Sequence, residues 1–220
     1  MERIGAIFDW DGVIIDSSRA HEVAWERLGT ESGRPLPEGH FKTGFGRKND
    51  HIIPHILRWD APPAEVEQLG RRKEELYREV LRDTGIQPLP GVREFLTALK
   101  AAGVPCAVGS STERKNIDTI MGLIGFAPFF RAIVAADDVT RGKPDPQVFL
   151  LGAERIGVPA GRCAVFEDAF AGLEAARAGG MKAIGVATTH PAEKLRGHAD
   201  RVVARFDELS VEELRRLIHE

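Results

Sequence analysis

Ile4-Gly5-Ala6-Ile7-Phe8-Asp9-Trp10-Asp11-Gly12-Val13 is the stretch on which the fold turns. The apolar run from Ile4 to Phe8 reads as a short buried strand. It ends in two carboxylates two residues apart, and Gly12 allows the chain to turn just beyond. On a strand, residues i and i+2 point the same way, so Asp9 and Asp11 can reach one pocket at the strand's carboxyl end. Such a pair needs a cation or a proton to offset its repulsion. The pattern suggests a Mg²⁺ site with one Asp free to attack something.

Further strand-like runs lie at 104–109, 131–135, 162–167 and 182–187, with a short one near 201–204; the first run spans 3–9. Helical patterns separate them. Val92, Phe95, Leu96 and Leu99 follow Pro90-Gly91 at helical spacing, with Gly103 as a stop, and Ile117, Ile120, Met121 and Ile124 form a second stripe. Ser210 and Glu213 make a capping box ahead of Leu214 and Leu217. Strands alternating with helices of this length predict an α/β fold with a doubly wound, Rossmann-like parallel sheet covered on both faces. Ligands of such sheets bind beyond the strands' carboxyl ends.

Residues 17–86 break the alternation. Helical stretches at 17–32 and 63–84 stand there without a convincing strand; the second opens after Pro62-Pro63 and stops at Gly85. The expectation is a core of 1–16 plus 87–220 and an inserted all-helical cap of 17–86, hinged near 14–18 and 84–90. An insertion at the edge carrying the site would act as a lid.

The 220 residues can bury a substantial core, and a 43% hydrophobic, 29% charged composition is ordinary for a soluble protein. A net charge of −3 gives no reason to expect nucleic acid or an anionic membrane as partner. No apolar stretch reaches the roughly 18 residues of a membrane span. The N-terminus is strand-like rather than signal-like, so a cytoplasmic protein is expected; its oligomeric state is not legible. Cys106 and Cys163 sit in apolar runs and read as buried free thiols in preference to a disulfide or metal pair. His51 and His55 have the spacing of a zinc pair, but Pro54 intervenes and no third ligand is evident. There is no Gly-rich nucleotide loop.

The strand ends, read in order, collect chemistry. The first carries Asp9 and Asp11, the second Ser110, Ser111 and Thr112. After the third comes Arg141-Gly142-Lys143-Pro144-Asp145-Pro146, and the fourth ends in Glu167-Asp168. A phosphoryl group needs such a set: a cation and Lys against its charge, donors for its oxygens, and an in-line nucleophile. Taken singly, an Asp or Ser after a strand is as readily a helix cap, and a lone Lys a solvated charge. Their co-occurrence at four successive ends carries the argument.

These motifs resemble those of the haloacid dehalogenase superfamily, specifically its phosphotransferases with a helical cap after the first strand, over essentially the whole chain. Asp9 to Val13 match D-x-D-G-[TV], Ser110 the second motif, Gly142 to Pro146 the lysine motif, and Glu167-Asp168 the acidic pair. Ala169 stands where the family often has Ser. The resemblance implies that Asp9 is the nucleophile and a Mg²⁺ ligand, and that Asp11 is the general acid and base, touching the metal through its backbone carbonyl. Ser110 and Lys143 would hold the phosphoryl group, Asp168 would ligate Mg²⁺, and Glu167 would do so directly or through water. Dehalogenating members lack the second Asp.

In the cap, His21, Trp25, Gly44, Arg47 and Lys73 fall where sugar-phosphate members, the β-phosphoglucomutases among them, have substrate-binding elements. There the His and Lys position the acid/base Asp, and the Arg binds a distal phosphate. Ser111 and Thr112 join this substrate-binding set. The competing reading makes His21 and Trp25 helix packing, and Arg47 and Lys73 solvated charges. The function expected is a Mg²⁺-dependent phosphatase of a small phosphorylated metabolite, a sugar phosphate, working through an aspartyl-phosphate. The alternatives are a β-phosphoglucomutase-like phosphomutase and a non-catalytic binding module of the same fold.

Overall fold

The computed structural model describes residues 3–44 and 47–220. They form two compact units, Met1–Asp16 with Gln87–Glu220, and Ser17–Ile86.

The first unit is built on six parallel strands: β1 (Gly5–Phe8), β2 (Cys106–Gly109), β3 (Phe130–Val134), β4 (Cys163–Glu167), β5 (Lys182–Val186) and β6 (Arg201–Val203), in the order β3-β2-β1-β4-β5-β6. The chain runs outward from β1 to β3, returns to β4 on the other side of β1, and continues to β6. The order therefore reverses between β1 and β4, where open parallel sheets leave a crevice.

Helices α5 (Val92–Ala101), α6 (Arg114–Ile124), α7 (Gln147–Ile156), α8 (Phe170–Ala178), α9 (Ala192–Leu195) and α10 (Val211–His219) connect the strands or follow them. Helix α10 begins with the expected box: Ser210 Oγ accepts the Glu213 N–H at 3.2 Å, and Glu213 Oε2 accepts the Ser210 N–H at 2.8 Å.

Strand residues alternate between the two faces, and both faces are apolar. Phe8 pairs in register with Phe166, and their rings stack at 4.6 Å with Phe95 and Phe206 alongside. One residue earlier, Ile7 pairs with Ala107 and Val165 and packs into a core with Phe149, Ile156 and Leu173. Burial of each such Phe or Ile contributes roughly 1.5–3 kcal/mol, which explains why the central strands read as continuous apolar runs. Cys106 and Cys163 are buried free thiols, both pushed up to about 12 by burial.

The second unit contains α1 (Ser18–Ser32), α2 (His40–Gly44), α3 (Asn49–His51), a π-helical turn over Ile52–Ile56, and α4 (Pro63–Thr84). Helix α4 starts with Pro63 as its first residue and stops at Gly85, whose φ of 71° suits glycine. It packs against α1 through Leu76, Tyr77, Val80 and Leu81, with Ala24, Trp25 and Leu28 of α1 buried. Among the described residues no helix is long and apolar enough to cross a membrane.

Candidate active site

Asp9 follows β1 directly, and its N–H donates to the Phe166 carbonyl of β4 at 2.9 Å. Trp10 is fully buried against Phe130. The chain then turns: Ile14 donates back to the Trp10 carbonyl, and Gly12, at φ 76°, donates to Ile15 at 2.8 Å. A Cβ on Gly12 would lie 2.1 Å from Asp168 Oδ2. Only glycine lets the first motif close onto the end of β4.

Within that closure Asp9, Glu167 and Asp168 each offer a carboxylate oxygen, all within 4.8 Å of one another. Lys143 reaches in from the loop after β3. Its Nζ lies 2.9 Å from Asp9 Oδ1 and donates to Glu167 Oε1 at 2.6 Å. Glu167 Oε2 accepts the Ala169 N–H at 2.9 Å, so both of its oxygens are held. The side chains of Lys143 and Glu167 are 9% and 1% exposed.

Three carboxylates thus share one ammonium in a poorly solvated site. Burial, reinforced by the neighbouring acids, raises Glu167 against the pull of Lys143, and burial followed by Asp9 raises Asp168 to about 6. Burial alone would lower Lys143, but Asp9 and Glu167 outweigh it and hold the ammonium above its ordinary range. An excess of buried negative charge on oxygen donors is what a hard divalent cation would neutralise. The donor set fits such an ion.

Asp11 stands apart from this group. Its Oδ2 accepts the Thr112 hydroxyl at 2.5 Å. Ser110, buried at the end of β2, donates its N–H to Val134 at 2.9 Å, and its Oγ accepts the Thr112 N–H at 3.1 Å. Ser111 is exposed. Thr112, expected as a substrate-binding residue, is thus placed on Asp11, joining the second motif to the first.

Two functional candidates escape the motif reading. Thr189 Oγ1 donates to Asp168 Oδ2, and Thr188 Oγ1 donates to the Gly12 carbonyl at 2.5 Å. A signal was available: both threonines follow the fifth strand-like run directly, and strand ends carry the chemistry in this fold.

Gly172, on the first turn of α8, backs the cluster. A Cβ there would fall 1.8 Å from Glu167 Oε1. Alanine gains up to about 1 kcal/mol in helix propensity, but overpacking against a doubly bonded, buried carboxylate costs about 1–3 kcal/mol. Gly172→Ala is therefore expected to lower the unfolding free energy in a urea titration. A gain in stability would contradict the packing at Glu167.

Five expected residues belong to the helical unit. His21, Trp25 and Lys73 meet there: Lys73 Nζ lies 2.7 Å from His21 Nδ1 and 5.4 Å from the centre of the Trp25 ring. Gly44 ends α2 and is buried. Arg47 is exposed, its Nη1 3.3 Å from His51 Nε2. His51 and His55 are both exposed. Among the described residues, the acidic group is the one set of three or more side chains arranged to hold a metal.

Residues 5–180 match the model of the haloacid dehalogenase-like hydrolases. The chain is 37% identical over 217 residues to the chloroplastic 5-amino-6-(5-phospho-D-ribitylamino)uracil phosphatase of Arabidopsis thaliana; the match takes in 97% of this chain and spans 57% of that protein's length. It is 35% identical to a fructose-1-phosphate phosphatase of Escherichia coli, over 83% of this chain and 95% of that one. It is 32% identical to a β-phosphoglucomutase of Bacillus subtilis, over 97% and 93% of the two chains. Among solved structures, a hydrolase of this family from Entamoeba histolytica superimposes with a TM-score of 0.87 at 27% identity, covering 99% of this chain and 100% of the other. With four-fifths of its length matched and its acidic motifs converging at the β1/β4 switch, this chain belongs to the haloacid dehalogenase-like hydrolases.

Proposed function

We propose that this enzyme is a Mg²⁺-dependent phosphatase of a small phosphorylated metabolite, a sugar phosphate, and that it works through phospho-Asp9. The observation that supports this reading is the different placement of the two aspartates. Asp9 lies in the cluster with Lys143, Glu167 and Asp168, while Asp11 accepts the Thr112 hydroxyl.

Asp9, the Asp11 carbonyl, Asp168 and Glu167 would hold the Mg²⁺, whose charge, when bound, opposes that of the phosphoryl oxygens. A carboxylate oxygen of Asp9 forms a bond to phosphorus while the bond to the leaving oxygen breaks. That oxygen takes its electron pair and a proton from Asp11. Ionised Asp11 then removes a proton from water, which bonds to phosphorus as the Asp9–phosphorus bond breaks, releasing inorganic phosphate and restoring both acids. Lys143 and Ser110 hold the transferring group.

The substrate class rests on relatives named for a fructose phosphate, a phosphoglucose and a phosphorylated ribityl compound. The helical unit, we propose further, is the lid that selects among them through His21, Trp25, Gly44, Arg47 and Lys73, assisted by Ser111 of the core. The test is phosphate release from a panel of phosphorylated sugars and other small metabolites, with Mg²⁺ and with chelator. Release that ignores chelator would overturn the metal, and a flat screen with normal Mg²⁺ binding would favour a binding module.

The relative named for phosphoglucomutase supports a second reading, in which a sugar hydroxyl replaces water as acceptor. Incubation with β-glucose 1-phosphate and a bisphosphate primer separates the two: isomerisation without net phosphate release favours the mutase.

Thr189 gives this site a further test. Its hydroxyl donates to one oxygen of Asp168 and so orients a carboxylate of the acidic group. Partners that orient metal ligands are worth about 10–100-fold in affinity. Thr189→Val is expected to weaken Mg²⁺ binding by that factor in a calorimetric titration without substrate, and Thr189→Ser to restore it. Equal affinity in all three proteins would remove Thr189 from the site.

A further inference from the structure

We propose that Glu74 is a positioning residue that, acting through Lys73, locks His21 as the neutral Nε2–H tautomer, so that the helical unit presents a hydrogen-bond donor rather than a cation at this position.

Glu74 is not part of any motif. It lies on α4 beside Lys73, and the pair is buried, at 7% and 4% exposure. Lys73 Nζ donates to Glu74 Oε1 at 2.9 Å, and Asn49 Nδ2 of α3 donates to the same oxygen at 2.8 Å. A buried ion pair is weak evidence for stability, because apolar side chains of similar volume often do as well. In a unit of some seventy residues built on apolar packing between α1 and α4, such a pair points to a use other than stability.

The use follows from the donor inventory. An ammonium carries donors and no acceptor. Lys73 Nζ lies 2.7 Å from His21 Nδ1, so Nδ1 must accept, and the ring's single proton must sit on Nε2. That holds while the ammonium is kept against Nδ1, and its bond to the Glu74 carboxylate at 2.9 Å anchors it there. Were the ammonium free to swing away, Nδ1 could carry the proton instead, and the tautomer would no longer be fixed.

The ring plane is fixed as well. Tyr77 stacks on the imidazole at 3.9 Å with 3° between planes, and the Lys73 ammonium lies 5.4 Å from both the Trp25 and Tyr77 rings. Burial first, and then the Lys73 charge, push His21 down to about 3, against the opposing effect of Glu74. Burial alone would raise Glu74, but Lys73 leads the groups that bring it down to about 2. Burial and the Lys73 charge outweigh the Glu74 charge, and the ring is uncharged at neutral pH.

The tautomer stands on contacts inside the helical unit; its consequence for turnover rests on the phosphoryl-transfer reading. The experiment is ¹⁵N NMR of the imidazole nitrogens in the full-length protein at neutral pH, with the His21 signals assigned by their loss in His21→Asn. The wild type is expected to show an unprotonated Nδ1 and a protonated Nε2. Glu74→Gln, an isosteric change, is expected to shift both nitrogens toward an averaged or reversed pattern, and to lower kcat/KM by roughly tenfold to a hundredfold, the worth of a charge-assisted hydrogen bond. Asn49→Ala removes one partner of Glu74 but not Lys73, and is expected to leave the tautomer unchanged.

A wild-type His21 carrying its proton on Nδ1, or on both nitrogens, overturns the proposal without any variant. So does a folded Glu74→Gln protein with the wild-type pattern. A wild type with the expected tautomer but no turnover on any phosphorylated substrate would instead overturn the proposed function and leave the lock standing.

Discussion

Asp9→Asn is expected to reduce phosphate release by about 10⁴-fold or more, the scale on which removal of an activated nucleophile acts in covalent catalysis. The substitution preserves shape and a hydrogen-bonding oxygen, but an amide oxygen does not form the covalent intermediate. The fold should not suffer. Asp9 is one of three acids crowded around Lys143, and its charge helps to push Asp168 and Glu167 upward. Its neutral isostere relieves that repulsion, so the thermal midpoint in chelator at pH 8 should equal or exceed that of the wild type. Colorimetric phosphate release and a thermal melt on one preparation read both effects. Mass spectrometry of acid-quenched wild type under substrate should also find one phosphoryl group on the peptide carrying Asp9. Full Mg²⁺-dependent turnover by Asp9→Asn would remove Asp9 as nucleophile.

Much of this arrangement is legible in the sequence because its causes are local. Helix α4 runs over the predicted 63–84, since Pro62-Pro63 and Gly85 are chemical start and stop signals. The central strands read as unbroken apolar runs because helices cover both faces of the sheet. The acids, hydroxyls and lysine of the strand ends are visible because each terminates an apolar run. Elements set by tertiary closeness are not visible in this way. The π-helical turn over Ile52–Ile56 contains a proline and has no periodic signature.

Thr188 reaches the Gly12 carbonyl across 176 positions, and Thr112 reaches Asp11 across 101; no spacing rule links residues so far apart. Glu74 was hidden for a different reason. A Glu next to a Lys on a charged helix reads as solvated, and only the packing of α1 and α3 against α4 buries it. The necessity of Gly172 is likewise invisible until the Glu167 carboxylate is placed 1.8 Å from its missing Cβ.

Lys143→Met is expected to damage both turnover and stability, and the pH dependence of the damage distinguishes charge from packing. One preorganised donor to the phosphoryl group is lost, worth about 10²–10³ in kcat. Breaking a buried pair from one side costs about 3–5 kcal/mol, because Asp9 and Glu167 lose the ammonium now 2.9 and 2.6 Å away. A carboxyl whose folded pKa is raised favours folding while protonated. For Asp168 that contribution is complete below the unfolded value of 3.8 and is lost as pH rises through about 6. Without Lys143, which holds both down, Glu167 and Asp168 rise further. In chelator, the variant's melting temperature should therefore fall more steeply than the wild type's between about pH 5 and 8, and the two curves should converge toward pH 4. Mg²⁺ binds the ionised acids and should restore part of the loss at pH 8 and little at pH 5. Parallel curves would mean that the deficit is a packing defect, and that the Lys143 ammonium is not what offsets the carboxylates gathered at the end of β1.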